Sequence, residues 1–161
     1  TTTILAYTAY GSVDHITLTV GVNPTVPSQL TAASSLTMDQ SSGTISGIGA
    51  GTTAGNLLSS INESAYAAVY SGNNQVGSSE RLCTGMTLDL VVNGNRIRSY
   101  AIAVRGDVNG DGYIKTGDAV LILRSISNLT SLNGAYALAA DANGDGSIKT
   151  GDAVTVLRSI S

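Results

Sequence analysis

The chain has 161 residues, eleven acidic and eight basic side chains and a formal charge of −3, and it carries no basic run. This balance argues against nucleic acid and against anionic membranes as partners. A single cysteine, Cys83, rules out an intramolecular disulfide and is expected to be a small buried hydrophobe.

Residues 1 to about 104 are rich in Thr, Ser, Gly, Ala and Val, lack Trp and Phe, and read as short strands. ILAYTAY and HITLTV alternate around the turn GSVD, and Pro24 and Pro27 then punctuate a connection. Further strands are predicted at SSLTM, GTISGI, AYAAVY, MTLDLVV and RIRSYAIAV, the last two joined by the hairpin signal Asn93-Gly94-Asn95. One short helix is predicted at about 53 to 61, capped by Thr52 or Thr53, with Leu57, Leu58 and Ile61 on one side. A stretch of this length can bury an ordinary core, and the reading is a mainly β, sandwich-like module with one helix.

The last third of the chain contains one acidic loop twice: DVNGDGYIKTGD at 107 to 118 and DANGDGSIKTGD at 141 to 152. Oxygen-bearing side chains at positions 1, 3, 5 and 12, with Gly at position 6, describe a hard-cation cage of the EF-hand type. The candidate calcium ligands are Asp107, Asn109, Asp111, the backbone carbonyl of Tyr113, and Asp118. Their second-copy counterparts are Asp141, Asn143, Asp145, the carbonyl of Ser147, and Asp152. Ile114 and Ile148 are expected to point into a core. Lys115 and Lys149, at position 9, cannot ligate a cation, so water is expected at that vertex.

Six of the eleven acids lie at positions 1, 5 and 12 of the two loops, so without metal each loop crowds three carboxylates together. Two calcium ions would relieve this and, by simple addition, move the formal charge from −3 to about +1. Metal binding is therefore expected to be coupled to folding of a segment too short for a self-sufficient core. Two alternatives stand beside this reading: acidic turns without metal, and other families of repeated DxNxDG calcium proteins.

After Asp118 comes AVLILRSIS and after Asp152 comes AVTVLRSIS, with apolar residues at helical spacing: Val120, Leu123, Ile126 and Val154, Leu157, Ile160. Each loop thus feeds one helix. The residues before the first loop, IRSYAIAV, favour a strand, so the leading helix of a full EF-hand is missing. Between the copies, NLTSLNGAYALAA supplies a turn and a short alanine-rich helix through Tyr136 and Leu138.

This arrangement over about residues 105 to 161 resembles the dockerin modules, type I-like, of cellulosome-like bacterial assemblies. The resemblance rests on the paired GDxNxDGxIxxxD loops, with Ala140 replacing the leading Gly of the second, on the single helix after each, and on the repeated LRSI ending. It implies an all-α C-terminal module of two calcium loop-helix units that binds a cohesin module of a scaffold protein. Anchoring in an extracellular complex for polysaccharide degradation is implied with it. It also implies the contact positions: Thr116, Gly117, Leu123 and Arg124 in the first copy, and Thr150, Gly151, Leu157 and Arg158 in the second. Many dockerins carry two hydroxyl residues where this chain has Thr-Gly, and a basic residue where it has Leu123 and Leu157. These two leucines also lie on the apolar helical face and are candidates for the core. Arginine is enriched at binding hot spots, which favours Arg124 and Arg158 as contacts.

The copies agree at 17 of 22 aligned positions, every proposed contact included, so a single cohesin is expected to dock on either helix after about half a turn.

Residues 1–104 resemble the accessory X-type modules that precede dockerins, on the strength of GTISGIGAGTTAGNLLSSI, then CTGM and the closing strand that runs into RGDVNGDG. The expected architecture is thus α+β in two modules, 1–104 and 105–161, packed as one body because no linker separates them. No catalytic role is expected. His15 stands alone beside a turn, and Glu63 and Asp89 would have to face each other across a cleft to work as a glycosidase pair. A carbohydrate-binding first module, using Tyr7, Tyr10, Tyr66 or Tyr70, is the alternative. No apolar segment reaches the length of a membrane span and no signal peptide is read; the first residue, Thr, leads us to expect a piece of a larger secreted protein.

Overall fold

The computed structural model describes residues 6–7, 13–14 and 26–160. Near the start, β1 (Ala6–Tyr7) and β2 (Val13–Asp14) pair antiparallel; Tyr10, His15, Pro24 and the rest of the two strands expected there lie outside the described residues.

The centre of the fold is a six-stranded mixed sheet. Its strands are β3 (Thr37–Asp39), β4 (Thr44–Ile48), β5 (Ala67–Ser71), β6 (Asn74–Gln75), β7 (Thr87–Val92) and β8 (Asn95–Val104), in the order β3-β4-β8-β7-β5-β6. The β4–β8 pair is parallel and the others are antiparallel. β7 and β8 are joined through Asn93 and Gly94, both at positive φ, as a two-residue hairpin turn demands.

One face of the sheet is apolar: Ile45, Val69, Leu88, Leu90, Tyr100, Ile102 and Val104 are buried in a single cluster. It is covered by α1 (Ala54–Leu58), whose Thr53 hydroxyl caps the Asn56 N–H, and by connecting segments that bring Leu30, Ile61 and Leu82. The opposite face carries small and polar residues, among them Thr44, Ser46, Ala101 and Ala103.

The expected fold class is overturned on both counts. A β-sandwich needs a second sheet on the apolar face, and among the described residues a short helix and connecting segments cover it. The C-terminal part is likewise no separate all-α unit. It contributes α2 (Thr116–Ile126), α3 (Ala135–Ala140) and α4 (Thr150–Ser159), and α3 lies against β8 and β4 of the sheet. Ala135, Ala139 and Ala140 are buried, and a helix of such short side chains can approach a face of alanines and hydroxyls closely. The Gly106 N–H donates to Ala139 O at 2.8 Å and the Arg105 N–H to Ile48 O at 2.9 Å, which ties the helical segment to the sheet. A second, smaller cluster lies between α2 and α4 and is built from Val108, Ala119, Ile122, Ala140, Ala142, Ala153 and Val156.

Asp89 in β7 is fully buried, and its Oδ2 meets the Arg96 guanidinium. Arg96 also donates to Gly72 O at 3.1 Å and to the Thr87 hydroxyl at 3.1 Å, and it lies over the Tyr70 ring. Removing one member of such a pair leaves a buried charge uncompensated. Arg96→Ala is expected to lower the unfolding free energy in urea by about 3 kcal/mol, with Asp89→Asn on top of it recovering part of the loss. A loss under about 1 kcal/mol would show that water reaches the carboxylate.

Candidate functional site

The two loops fold alike because they carry the same turn chemistry. In the first, Gly110 and Gly112 have φ of 76° and 77°; in the second, Gly144 and Gly146 have 77° and 83°, so the chain coils twice in the left-handed region that glycine tolerates. The Asn109 side chain accepts the Asp111 N–H at 2.9 Å and Asp111 accepts the Tyr113 N–H at 2.8 Å; Asn143, Asp145 and Ser147 repeat this pattern at 2.8 Å and 2.9 Å. These bonds turn the short side chains at positions 3 and 5 toward the inside of each loop.

Position 12 links loop to helix. Asp118 is fully buried; its Oδ2 accepts the Lys115 N–H at 2.8 Å, capping α2, while Oδ1 accepts the Val108 and Asn109 N–H groups at 2.8 Å and 3.0 Å. Asp152 is also fully buried and accepts from Lys149 N–H at 2.8 Å and Asn143 N–H at 3.0 Å. A carboxylate in the first turn of a helix is favoured by the helix dipole as well.

Asp107 decides whether a cation fits. It is fully buried, and Oδ1 has no hydrogen-bond partner. Burial pushes its carboxyl pKa up, and the neighbouring carboxylates of Asp118 and Asp111 push the same way against the Thr84 and Gly112 N–H groups. A buried carboxylate with an unpaired oxygen among like charges is stabilised by a cation in the loop. Asp111 behaves oppositely: the Lys115 ammonium at 3.0 Å holds its pKa down, and Lys149 stands 3.8 Å from Asp145. The position 9 lysines, the one cation near each set of three carboxylates in the sequence, therefore act as counter-ions to position 5. Among the described residues no three His, Cys, Asp or Glu side chains already converge as a metal group. The donor set fits calcium because it draws on amide and backbone oxygens as well, at Asn109, Asn143, Tyr113 and Ser147.

The helices correct one expectation. Val120, Leu123 and Ile126 are 48%, 41% and 39% exposed, and Val154, Leu157 and Ile160 are 44%, 42% and 41% exposed, while Ala119, Ile122, Ala153 and Val156 fill the core. The apolar spacing thus marks the outer faces of α2 and α4. Thr116, Gly117 and Arg124, with Thr150, Gly151 and Arg158, are exposed beside them. Ile114 and Ile148 are partly buried against the small core.

The other candidate residues are occupied elsewhere. Glu63 accepts the Thr31 N–H at 2.6 Å and its hydroxyl at 2.8 Å, and Asp89 is held by Arg96. Tyr66 packs partly buried on the main core, and the Tyr70 ring is covered by Arg96. Cys83 is partly buried beside the first loop, where burial, then Asp107 and Asp111, push its thiol pKa up. No described helix is long and apolar enough to cross a membrane.

Neither a curated relative nor a solved structure matches the chain. Residues 105–161, 57 of the 161, match the family model of the dockerin type I domain, a non-catalytic, calcium-dependent module that binds cohesins.

Proposed function

We propose that this chain is a calcium-dependent adaptor. Residues 105–161 form the dockerin module, bind a cohesin of a scaffold protein with two calcium ions in place, and anchor the parent polypeptide in an extracellular, cellulosome-like complex. Asp107, Asn109, Asp111, Tyr113 and Asp118 hold one ion and Asp141, Asn143, Asp145, Ser147 and Asp152 the other. Residues 1–104 form a β-rich accessory module that braces the docking part.

The observation that carries this reading is the matched pair of outer helix faces. Two apolar ridges, each with a threonine-glycine entry and an arginine, stand at corresponding positions of α2 and α4. An exposed apolar ridge marks an interaction surface, and the arginine beside each is of the type enriched at binding hot spots.

The test is capture from a panel of cohesins with and without chelator. One cohesin class is expected to retain the chain in calcium and to release it in EDTA. Retention that ignores chelator, or no retention by any cohesin, would sink the reading.

A further inference from the structure

Position 1 of both loops is aspartate, yet the two aspartates meet different surroundings. Asp107 Oδ2 accepts the N–H of Thr84, from the sheet part of the chain, at 2.8 Å and that of Gly112 at 3.2 Å, while Oδ1 is buried and unpartnered. Asp141 is partly exposed, and its oxygens accept the N–H groups of Gly144, Asp145 and Gly146 at 2.9, 3.0 and 2.8 Å, all from its own loop. Thr84 is itself fixed: its hydroxyl accepts the Val104 N–H at 3.0 Å and donates to Val104 O at 3.3 Å, at the end of β8.

The loop backbones show the same contrast. A Cβ at Gly110 would stand 2.7 Å from Thr84 O, and one at Gly112 would stand 2.8 Å from Cys83 Sγ. At Gly146 nothing lies within 4 Å, and at Gly144 the nearest atom is the Arg105 guanidinium at 3.9 Å. Arg81 reaches over the first loop onto the Tyr113 ring, 4.7 Å from its centre. Between the second loop and the sheet, by contrast, lies an open groove of about 520 Å³ walled by Thr37, Thr44 and Ser46 on one side and Asp141, Gly146 and Ser147 on the other.

We propose that, given the calcium reading above, the first loop and residues 81–84 form one composite ion site that binds calcium more tightly and releases it more slowly than the second loop. Thr84 is its positioning residue. Its N–H holds Oδ2 of Asp107 while Oδ1 stays dry and unpartnered, and a charge in low dielectric gains more from a cation than a hydrated one. The wall also limits the loop's freedom in the ion-free state, so less ordering opposes binding. The second loop keeps its aspartate hydrated and satisfied by its own backbone, and it gains less.

The test is a calorimetric calcium titration of the full chain, paired with stopped-flow release into chelator. Two steps are expected, differing by about tenfold or more, the scale of a hydrogen bond to a charged group. Asp145→Ala should keep the tight, slow step, and Asp111→Ala the weak, fast one. Thr84→Pro, which removes the N–H, should weaken the tight step by about tenfold and leave the weak one unmoved, the intact weak step reporting that the chain is folded. Equal steps, or a tight step that survives Asp111→Ala, would overturn the inequality while leaving calcium binding intact. A wild-type chain that takes up no calcium would overturn the calcium reading itself. Should Thr84→Pro fail to fold, the two aspartate variants decide the matter alone.

Discussion

Stripping calcium with EDTA is expected to unravel the segment after β8 while the sheet persists. Its small core is built largely of alanines, Ala119, Ala140, Ala142 and Ala153 beside Val108, Ile122 and Val156, and buries little apolar area for its length. In the absence of metal it must also gather Asp107, Asp111 and Asp118 in one loop and Asp141, Asp145 and Asp152 in the other. At a hundredfold excess over its dissociation constant, each ion adds about 2.7 kcal/mol, so the pair adds about 5 kcal/mol. That is comparable with the whole stability of a small domain. Far-ultraviolet circular dichroism should lose most of its 222 nm helical signal in EDTA and recover it when calcium is restored. A helical signal and melting temperature that do not respond to chelator would show that the loops hold their shape unaided.

The second large effect concerns the two arginines. Arg124 and Arg158 stand at corresponding places on the exposed faces of α2 and α4, each in the last turn of its helix. If a cohesin docks on either face with similar energy, deleting one arginine removes one of two equal modes. Affinity then falls by about twofold, or about 0.4 kcal/mol. Changing both, Arg124→Ala with Arg158→Ala, damages every mode, and a hot-spot arginine costs about 2 kcal/mol or more, roughly thirtyfold. Surface plasmon resonance with the cohesin found in the panel would measure both. A loss of tenfold from one single variant would mean that the modes are unequal, as they would be if the partner also reached the sheet beside the first copy. Inequality of the loops does not by itself break this equivalence, because the contact faces lie on the outer sides of the helices.

Much of the candidate site was legible in the sequence because loop chemistry is local. Asp, Asn and Gly at fixed spacing specify the coil, and in both copies the Asx bonds run between residues two apart, such as Asn109 to Asp111 and Asp111 to Tyr113. Strand identity was legible for the same reason: alternation in TISGI and RIRSYAIAV shows which residues share a face. Helix facing was not. The segment Ala119-Val120-Leu121-Ile122-Leu123 is apolar on every side, so its period cannot choose between burying Ile122 and burying Leu123. Small side chains made that choice, since Ala119 and Ala153 let α2 and α4 approach closely and turned the leucines outward.

The amino-acid order by itself determined the duplicated acidic loops, the helix that each one feeds and the strands before them, because each depends on residues a few positions apart. Tertiary structure alone decided that β3 to β8 make one mixed sheet, that an alanine helix covers its small-residue face, and that Thr84 reaches Asp107 across 23 positions. The physical reason is that an apolar or small-residue face records that it must be covered and not by what. The covering partner is settled by chain connectivity and by shape, and neither leaves a periodic mark in the residues.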